Sequence, residues 1–206
     1  MDITVQSNLD KLGSLLRDVL FLNEVGGDNG LVYRFSDADG FRTGRSGWSY
    51  GVSQFDVANN SGLAVKCLKE IGFTDQQVDF IIKQVYSVQE MTRFSAMLKE
   101  KSAVVDKYDI LHMGETVKLV SKLLLKYNCK DIAVDAFLAI CDYHNQFYIS
   151  PNGKMEVFIK TTIASKGTVT FDDISKRKMA TKWGVDRPDD VRRRDRNIKT
   201  VASKVV

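Results

Sequence analysis

The chain has few of the residues that interrupt helices or build disulfide and metal sites. Its 206 residues include two prolines, three cysteines and two histidines. Because proline breaks helix interiors, its scarcity favours a mostly helical fold. The cysteines, Cys67, Cys129 and Cys141, are an odd number without metal-ligand spacing, so we expect buried, reduced thiols. His112 and His144 have no suitable pairing for zinc hydrolysis, and we expect no metal and no cofactor.

Long apolar runs and a strong charge of one sign are also missing. No segment approaches the roughly 20 apolar residues that a membrane span requires, so we expect no stable membrane insertion. The segment Met1–Asp10 lacks the basic and apolar regions of a secretory signal peptide. The net charge of +4 is mildly basic, which suits polyanionic partners in general but selects none of them.

Length and composition are those of an ordinary globular protein. Hydrophobic residues make up 44% of the chain and charged residues 27%. We expect one domain over residues 1–206 and a monomer. Within it, residues 1–62 would form a lobe with a helix and a β-hairpin, and residues 63–206 a helical lobe. The predicted fold class is α+β, mainly α.

The N-terminal pattern predicts a helix that ends beside a glycine-rich stretch. Apolar residues recur at helical spacing from Leu9 to Leu20, after a start signal at Ser7. Gly26 and Gly27 would stop this helix, which places Glu24 in its last turn.

Two strand-like segments after this helix predict a β-hairpin over Leu31–Phe35 and Gly47–Asp56. A glutamate beside such a hairpin would be partly walled by Tyr33, Trp48 and Tyr50. Partial loss of solvent favours the protonated carboxyl, which can then act as a general acid near neutral pH.

Helical patterns continue through the remainder of the chain. We predict helices at residues 57–72, 74–86, 91–98, 115–127, 131–148, 155–164 and 171–183. Thr74 and Gln77 would form a capping box at the start of the second of these, and the Met and Phe residues of the third would be core residues. The charged tail is predicted to be a docked amphipathic helix with an inward face formed by Val191, Ile198, Val201 and Val205.

The stretch after the first helix resembles a motif of the lysozyme superfamily. Glu24 precedes a glycine-rich hairpin in which Gly51, Gln54 and Asp56 match a Gly-hydrophobic-x-Gln-x-Asp-like element. This pattern is most similar to goose-type lysozymes and lytic transglycosylases, over roughly residues 9 to 60. The arginine-bearing C-terminal helix also resembles the final helix of phage muramidases.

The resemblance implies a lysozyme-like fold and a peptidoglycan-cleaving muramidase. Such an enzyme hydrolyses the β-1,4 bond between N-acetylmuramic acid and N-acetylglucosamine. Glu24 would be the general acid and Asp56 the second carboxylate, with Asp37 and Asp39 on the hairpin turn as rivals.

Candidate sugar contacts come from the hairpin and from a later helix. Ser49 and Gln54 would hold water or a sugar hydroxyl, and Tyr33 and Tyr50 would pack on sugar faces. The polar end of the helix at 131–148 would reach the groove with two residues, His144 and Asn145. For three of these residues a purely structural role is equally open. Tyr50 would then lie in the core, Gln54 would brace the hairpin, and His144 would lie at a solvated helix end.

The expected partner is the glycan strand of peptidoglycan. A leaderless muramidase resembles a phage endolysin held in the host cytoplasm until release to the cell wall, and a secreted effector would look the same. The alternatives are a lytic transglycosylase, a chitosanase-like or chitinase-like glycosidase, and an inactive glycan-binding or structural module. Nucleic-acid binding is disfavoured, because acids interleave the C-terminal arginines and no aromatic stacking platform accompanies them. We expect these arginines to form a solvated face with local ion pairs instead.

Overall fold

The structure is a computed structural model that describes residues 1–37, 46–59 and 61–205. These residues form a mainly helical protein with one small antiparallel sheet, which confirms the predicted α+β, mainly α class. The helices of the described residues are α1 (Gln6–Glu24), α2 (Asn29–Val32), α3 (Ser61–Ile71), α4 (Asp75–Ile82), α5 (Val88–Glu100), α6 (Ser102–Lys126), α7 (Val134–Phe147), α8 (Lys154–Lys166), α9 (Phe171–Met179), α10 (Lys182–Asp186) and α11 (Pro188–Ala202). The strands are β1 (Ser36–Asp37), β2 (Trp48–Tyr50) and β3 (Phe55–Asp56).

The chain divides into two compact units. The first unit comprises Met1–Asn23 and Met113–Val206, and the second unit comprises Glu24–His112. These boundaries differ from the expected division at residue 62. Helix α6 contributes residues to both units, and the N-terminal helix α1 belongs to the first unit except for its last residue, Glu24.

The sheet of the second unit differs in detail from the predicted hairpin. Strand β2 lies between β1 and β3, with Ser49 opposite both Ser36 and Asp56. The strand predicted at Leu31–Phe35 is wrong: the short helix α2 occupies its first part, because Asp28 caps α2 by accepting a hydrogen bond from Gly30 N. Asp39, one of the acidic candidates, lies outside the described residues.

The predicted second strand is in fact two strands joined by a tight turn. Gly51 and Gln54 adopt positive φ angles of 80° and 51°, which turn the chain between β2 and β3. Gly51 N also donates a hydrogen bond to Val32 O at 2.8 Å, so the turn is tied to the end of α2. A period-two pattern over Gly47–Asp56 does not reveal such a turn, because Gln54 is not a residue type typical of positive φ.

A hydrophobic cluster fills the second unit between the sheet and its helices. Ring contacts within it, edge-to-face or tilted, join Phe35 to Tyr50 and Phe73, and Tyr50 to Phe55. The buried aromatic residues are Phe35, Trp48, Tyr50, Phe55, Phe73 and Tyr108. Phe94 and Tyr86 pack against this cluster from α5 and the loop before it. The Met and Phe residues of α5 are therefore core residues, as their helical spacing predicts.

Capping side chains fix the starts of α4, α5, α9 and α10. Thr74 and Gln77 form the predicted capping box of α4. Equivalent boxes begin α5 and α9, at Ser87 and Thr170. The helix predicted over 171–183 is divided into α9 and α10, because Thr181 accepts from Gly184 N and so starts a new helix.

The first unit is built around helices α7, α9, α10 and α11, which contact one another. Helix α11 is the predicted docked amphipathic helix: Val191, Ile198 and Val201 are buried. Val205 lies instead in the 3-10 turn Ser203–Val205 and is half-buried there. The three cysteines are buried and free, as expected. Of the described helices, none is long and apolar enough to cross a membrane.

Candidate active site at the end of the first helix

Glu24 is the last residue of α1 and is half-buried. The chain leaves the helix through Gly26 and Gly27, whose φ angles are 62° and 80°. Left-handed glycines are the usual helix terminators, since they have no Cβ to clash in this conformation. The predicted position of Glu24 in the last turn of an apolar helix is thereby confirmed.

The backbone just before Glu24 is held by an arginine of the C-terminal helix. The guanidinium of Arg193 donates hydrogen bonds to Leu22 O at 3.3 Å and to Asn23 O at 3.1 Å. These are carbonyls of the last turn of α1, which have no partner within the helix. Asp190 in turn accepts from Arg193 at 2.6 Å and fixes the guanidinium. The helix end that carries Glu24 therefore has a defined position.

The side chain of Asn23 enters a buried group of charged residues in the first unit. Its Nδ2 donates to Asp142 Oδ1 at 2.9 Å, and its Oδ1 accepts from Asn197 at 2.9 Å. Asp142 is fully buried and pairs with Arg194 at 2.8 Å and with Lys178 at 3.4 Å.

The second carboxylate of this buried group is Asp195. It accepts a hydrogen bond from Lys178 at 3.0 Å and another from Ser175. Two carboxylates, Asp142 and Asp195, thus face two cations, Lys178 and Arg194. We call Asn23, Ser175 and these four charged residues the buried ionic cluster.

Electrostatics keep Asp142 ionised despite its burial. Burial acts to raise its pKa, but the charges of Arg194 and Lys178 and the hydrogen bonds from Asn23 and Arg194 outweigh it, so that the pKa is lowered. Each member of this cluster is important for stability, because removing one partner leaves an uncompensated charge in the buried interior. The solvated face predicted for the arginines of α11 is therefore wrong for Arg194, which is buried.

Two candidate polar residues of the hairpin make contacts inside it. Gln54 Oε1 accepts from Ser36 at 2.7 Å, and its Nε2 donates to Gly51 O at 3.0 Å. Ser49 is buried in the central strand, and its hydroxyl donates to Gly47 O at 3.4 Å. In this structure Gln54 braces the turn, which is the structural reading that the sequence left open.

Asp56 also acts within the hairpin. Its carboxylate accepts from the backbone N–H groups of Gly47, Ala58 and Asn59 at 3.0 to 3.2 Å, and from Asn59 Nδ2 at 2.8 Å. Gly47 is required there, since a Cβ at this position would lie 2.7 Å from the Cβ of Ala58. The side chain thus ties the start of β2 to the turn that follows β3.

The buried carboxylate of Asp109, which the sequence did not single out, holds the turn of the hairpin. Asp109 in α6 accepts from Val52 N at 2.8 Å, and from Ser53 N and Oγ at 3.2 and 2.7 Å. Burial raises its pKa, although these hydrogen bonds act in the opposite direction. Its distance of 57 residues from the turn explains why no local sequence signal pointed to it.

The tyrosine candidates differ in their accessibility. Tyr50 is fully buried, its hydroxyl donates to Ala64 O at 2.8 Å, and burial raises its pKa. The structure thus places Tyr50 in the core, where its ring has no free face for a sugar. Tyr33 is half-buried, and its hydroxyl lies 3.1 Å from both carboxylate oxygens of Asp106.

Asp37, the other described candidate for the second carboxylate, lies in β1, opposite Trp48.

The candidates from the later helix lie in the first unit, whereas Glu24 and the hairpin lie in the second. His144 is half-buried near the end of α7, and its Nδ1 accepts from Ile149 N at 3.1 Å. Its ring is in contact with that of Tyr148. Asn145 follows it and is also half-buried. His144 therefore helps to terminate α7, which agrees with the helix-end reading.

Comparison of the chain with protein-family models, with curated proteins and with solved structures found no match. Any functional assignment therefore rests on the residues of the chain and their contacts. Within residues 1–37, 46–59 and 61–205, no three His, Cys, Asp or Glu side chains are grouped so that they could hold a metal ion.

Proposed function

We propose that the protein is a lysozyme-like glycoside hydrolase that cleaves the β-1,4 glycan of peptidoglycan, with Glu24 as the general acid. The observation that carries the proposal is the fixed end of α1. Glu24 is the half-buried last residue of α1, and the carbonyls of Leu22 and Asn23 just before it are held by Arg193. A proton donor must be held in place to act on a leaving oxygen.

Glu24 can carry out both proton transfers of the reaction. Glu24 donates a proton to the glycosidic oxygen as the bond breaks, and positive charge develops on the sugar ring. The carboxylate that remains then takes a proton from the attacking water or from a sugar hydroxyl. The first path gives hydrolysis, and the second is the lytic transglycosylase route.

In this mechanism Asp56 has a structural role and is not the nucleophile. Its oxygens accept four hydrogen-bond donors of its own hairpin. Asp109 supports the same hairpin at its other end, through Val52 and Ser53. Both carboxylates thereby fix the shape of the hairpin. This role predicts that loss of Asp56 impairs folding and activity together.

The test is digestion of purified peptidoglycan sacculi, with the soluble products analysed by mass. Wild type is expected to release muropeptides with reducing ends. Glu24→Gln, which keeps the size and removes the acid, should lower the rate by about 100-fold or more with an unchanged melting temperature. Glu115→Gln, an exposed glutamate on α6, is the matched control and should behave as wild type. Asp56→Asn should lose stability and activity in parallel.

Other results would change the assignment. Anhydro-ended products from wild type would identify a lytic transglycosylase with the same proton donor. Release from chitosan or chitin but not from sacculi would move the substrate to those polymers. Equal release by wild type and Glu24→Gln would remove Glu24 from the mechanism. Retention on sacculi without release of products would indicate a glycan-binding module.

A further inference from the structure

A cavity of about 450 Å³ lies in the second unit, a size typical of small-ligand sites. Its floor includes the buried side chains of Trp48 and Met91. Leu31 and Val88 form apolar parts of its wall and are 37% and 54% exposed. Apolar side chains left in solvent beside a cavity are a common feature of binding sites.

The cavity also carries one cation and one carboxylate, Arg34 and Asp37. Arg34 is exposed. In the described part of the chain its guanidinium has neither an ion pair nor a hydrogen bond, unlike those of Arg192, Arg193 and Arg194. A guanidinium offers a planar pair of donors that matches a carboxylate. The cavity therefore offers a carboxylate-binding group beside apolar surface.

We propose that this cavity binds the peptide stem of peptidoglycan, the short peptide attached to each muramic acid. This inference rests on the proposed function and extends it to a second part of the substrate. Arg34 binds a carboxylate of the peptide, and the apolar wall at Leu31 and Val88 receives its alanine methyl groups. Asp37 faces the amino group of the diamino acid.

The charge pattern favours a peptide over a sugar as the occupant. An N-acetylated sugar is neutral and is usually held by an exposed aromatic face. The cavity's indole, Trp48, is 4% exposed and so presents little of its ring. A stem peptide carries carboxylates, an amino group and methyl groups together, which are the complements of Arg34, Asp37 and the apolar wall.

The test measures binding without cleavage. The Glu24→Gln protein is titrated calorimetrically with the free tetrapeptide stem of Gram-negative peptidoglycan, which ends in D-alanine. Saturable binding is expected, and adding Arg34→Ala should weaken it by about tenfold or more, as loss of a charge-assisted hydrogen bond does. Arg34→Lys should be intermediate. Arg93→Ala removes the same charge from an exposed position on α5 outside the cavity lining and should bind as the parent does.

A second arm compares cleavage of intact sacculi with cleavage of glycan strands stripped of peptide by an amidase. Arg34→Ala should raise KM on intact sacculi and leave the rate on stripped strands unchanged. Absence of peptide binding while Glu24-dependent cleavage persists would overturn the peptide site alone. Equal losses from Arg34→Ala and Arg93→Ala would also overturn it. Arg34-dependent binding of an N-acetylglucosamine oligomer in place of the peptide would make the cavity a sugar site. Peptide binding without any cleavage would support the cavity and refute the proposed function.

Discussion

Asn23 donates a hydrogen bond to Asp142 at 2.9 Å, although the two residues are 119 positions apart in the chain. Asn23 immediately precedes Glu24, and Asp142 is the fully buried centre of the ionic cluster. The end of α1 is thus attached to α7 through Asp142 and to α11 through Arg193 and Asn197. Stability of the first unit and the position of the proposed proton donor therefore depend on the same contacts.

Loss of Asp142 should strongly destabilise the protein. Asp142→Ala leaves two buried cations with one carboxylate each: Lys178 keeps Asp195, and Arg194 keeps Asp190. Breaking a buried pair of this kind costs about 3–5 kcal/mol of unfolding free energy. Urea denaturation measures it, and Asp189→Ala is the control, since Asp189 forms an exposed ion pair with Arg192 and its loss should have no measurable effect. Similar stabilities of both variants would contradict the structural role of the cluster.

Arg193 is expected to act as a positioning residue for Glu24. Arg193→Ala removes the donors to Leu22 O and Asn23 O, so the last turn of α1 is less well fixed. On sacculi, kcat should fall by about tenfold with little change in KM, because substrate binding is retained while proton transfer is misaligned. Arg192→Ala, whose partner Asp189 is exposed, is the matched control. An unchanged kcat in Arg193→Ala would show that this contact does not position the acid.

Gly51 cannot be replaced without strain. Its φ is 80°, and a Cβ there would lie 2.9 Å from Asp109 Oδ1. Gly51→Ala should therefore lower the unfolding free energy by about 1–3 kcal/mol. Gly13 sits in α1 with nothing within 4 Å of its Cβ position, so Gly13→Ala should stabilise by about 0.5–1 kcal/mol. Thermal unfolding measures both changes. Stabilisation by both substitutions would contradict the described turn.

The contribution of Glu156 to stability should depend on pH. Lys126, Tyr127 and the N–H of Asn152 donate hydrogen bonds to its carboxylate and lower its pKa from 4.5 to about 2. A lowered pKa means that the stabilisation is complete above about pH 4.5 and is lost as the pH falls through about 2.

Denaturant unfolding of Glu156→Gln and wild type at a series of pH values checks this window. The difference between them should be largest near neutral pH and disappear towards the low end of the window. Glu100→Gln, which alters an exposed glutamate beside Lys101, is the control and should show no such dependence. A difference independent of pH would mean that Glu156 acts through shape rather than charge.

Local sequence patterns predicted the elements whose signals are local. The apolar spacing from Leu9 to Leu20 and the glycines after Glu24 determined where α1 ends, and Thr74 with Gln77 determined where α4 begins. They failed at Leu31–Phe35, where the side chain of Asp28 caps a short helix in a segment that reads as a strand. The proposed role of Glu24 followed from its place at a helix end.

The tertiary structure decided which polar side chains are structural. Sequence could not distinguish a sugar-binding Tyr50 from a core Tyr50, because its burial depends on Phe35, Phe55 and Ala64 around it. It read the arginines of α11 as solvated, since nothing near Arg194 in sequence reveals Asp142 52 residues away. Helix ends and apolar faces arise from residues within a few positions, and the sequence alone determines them. Buried charge pairs, the support of a turn by Asp109 and the cavity at Arg34 arise from residues that only folding brings together.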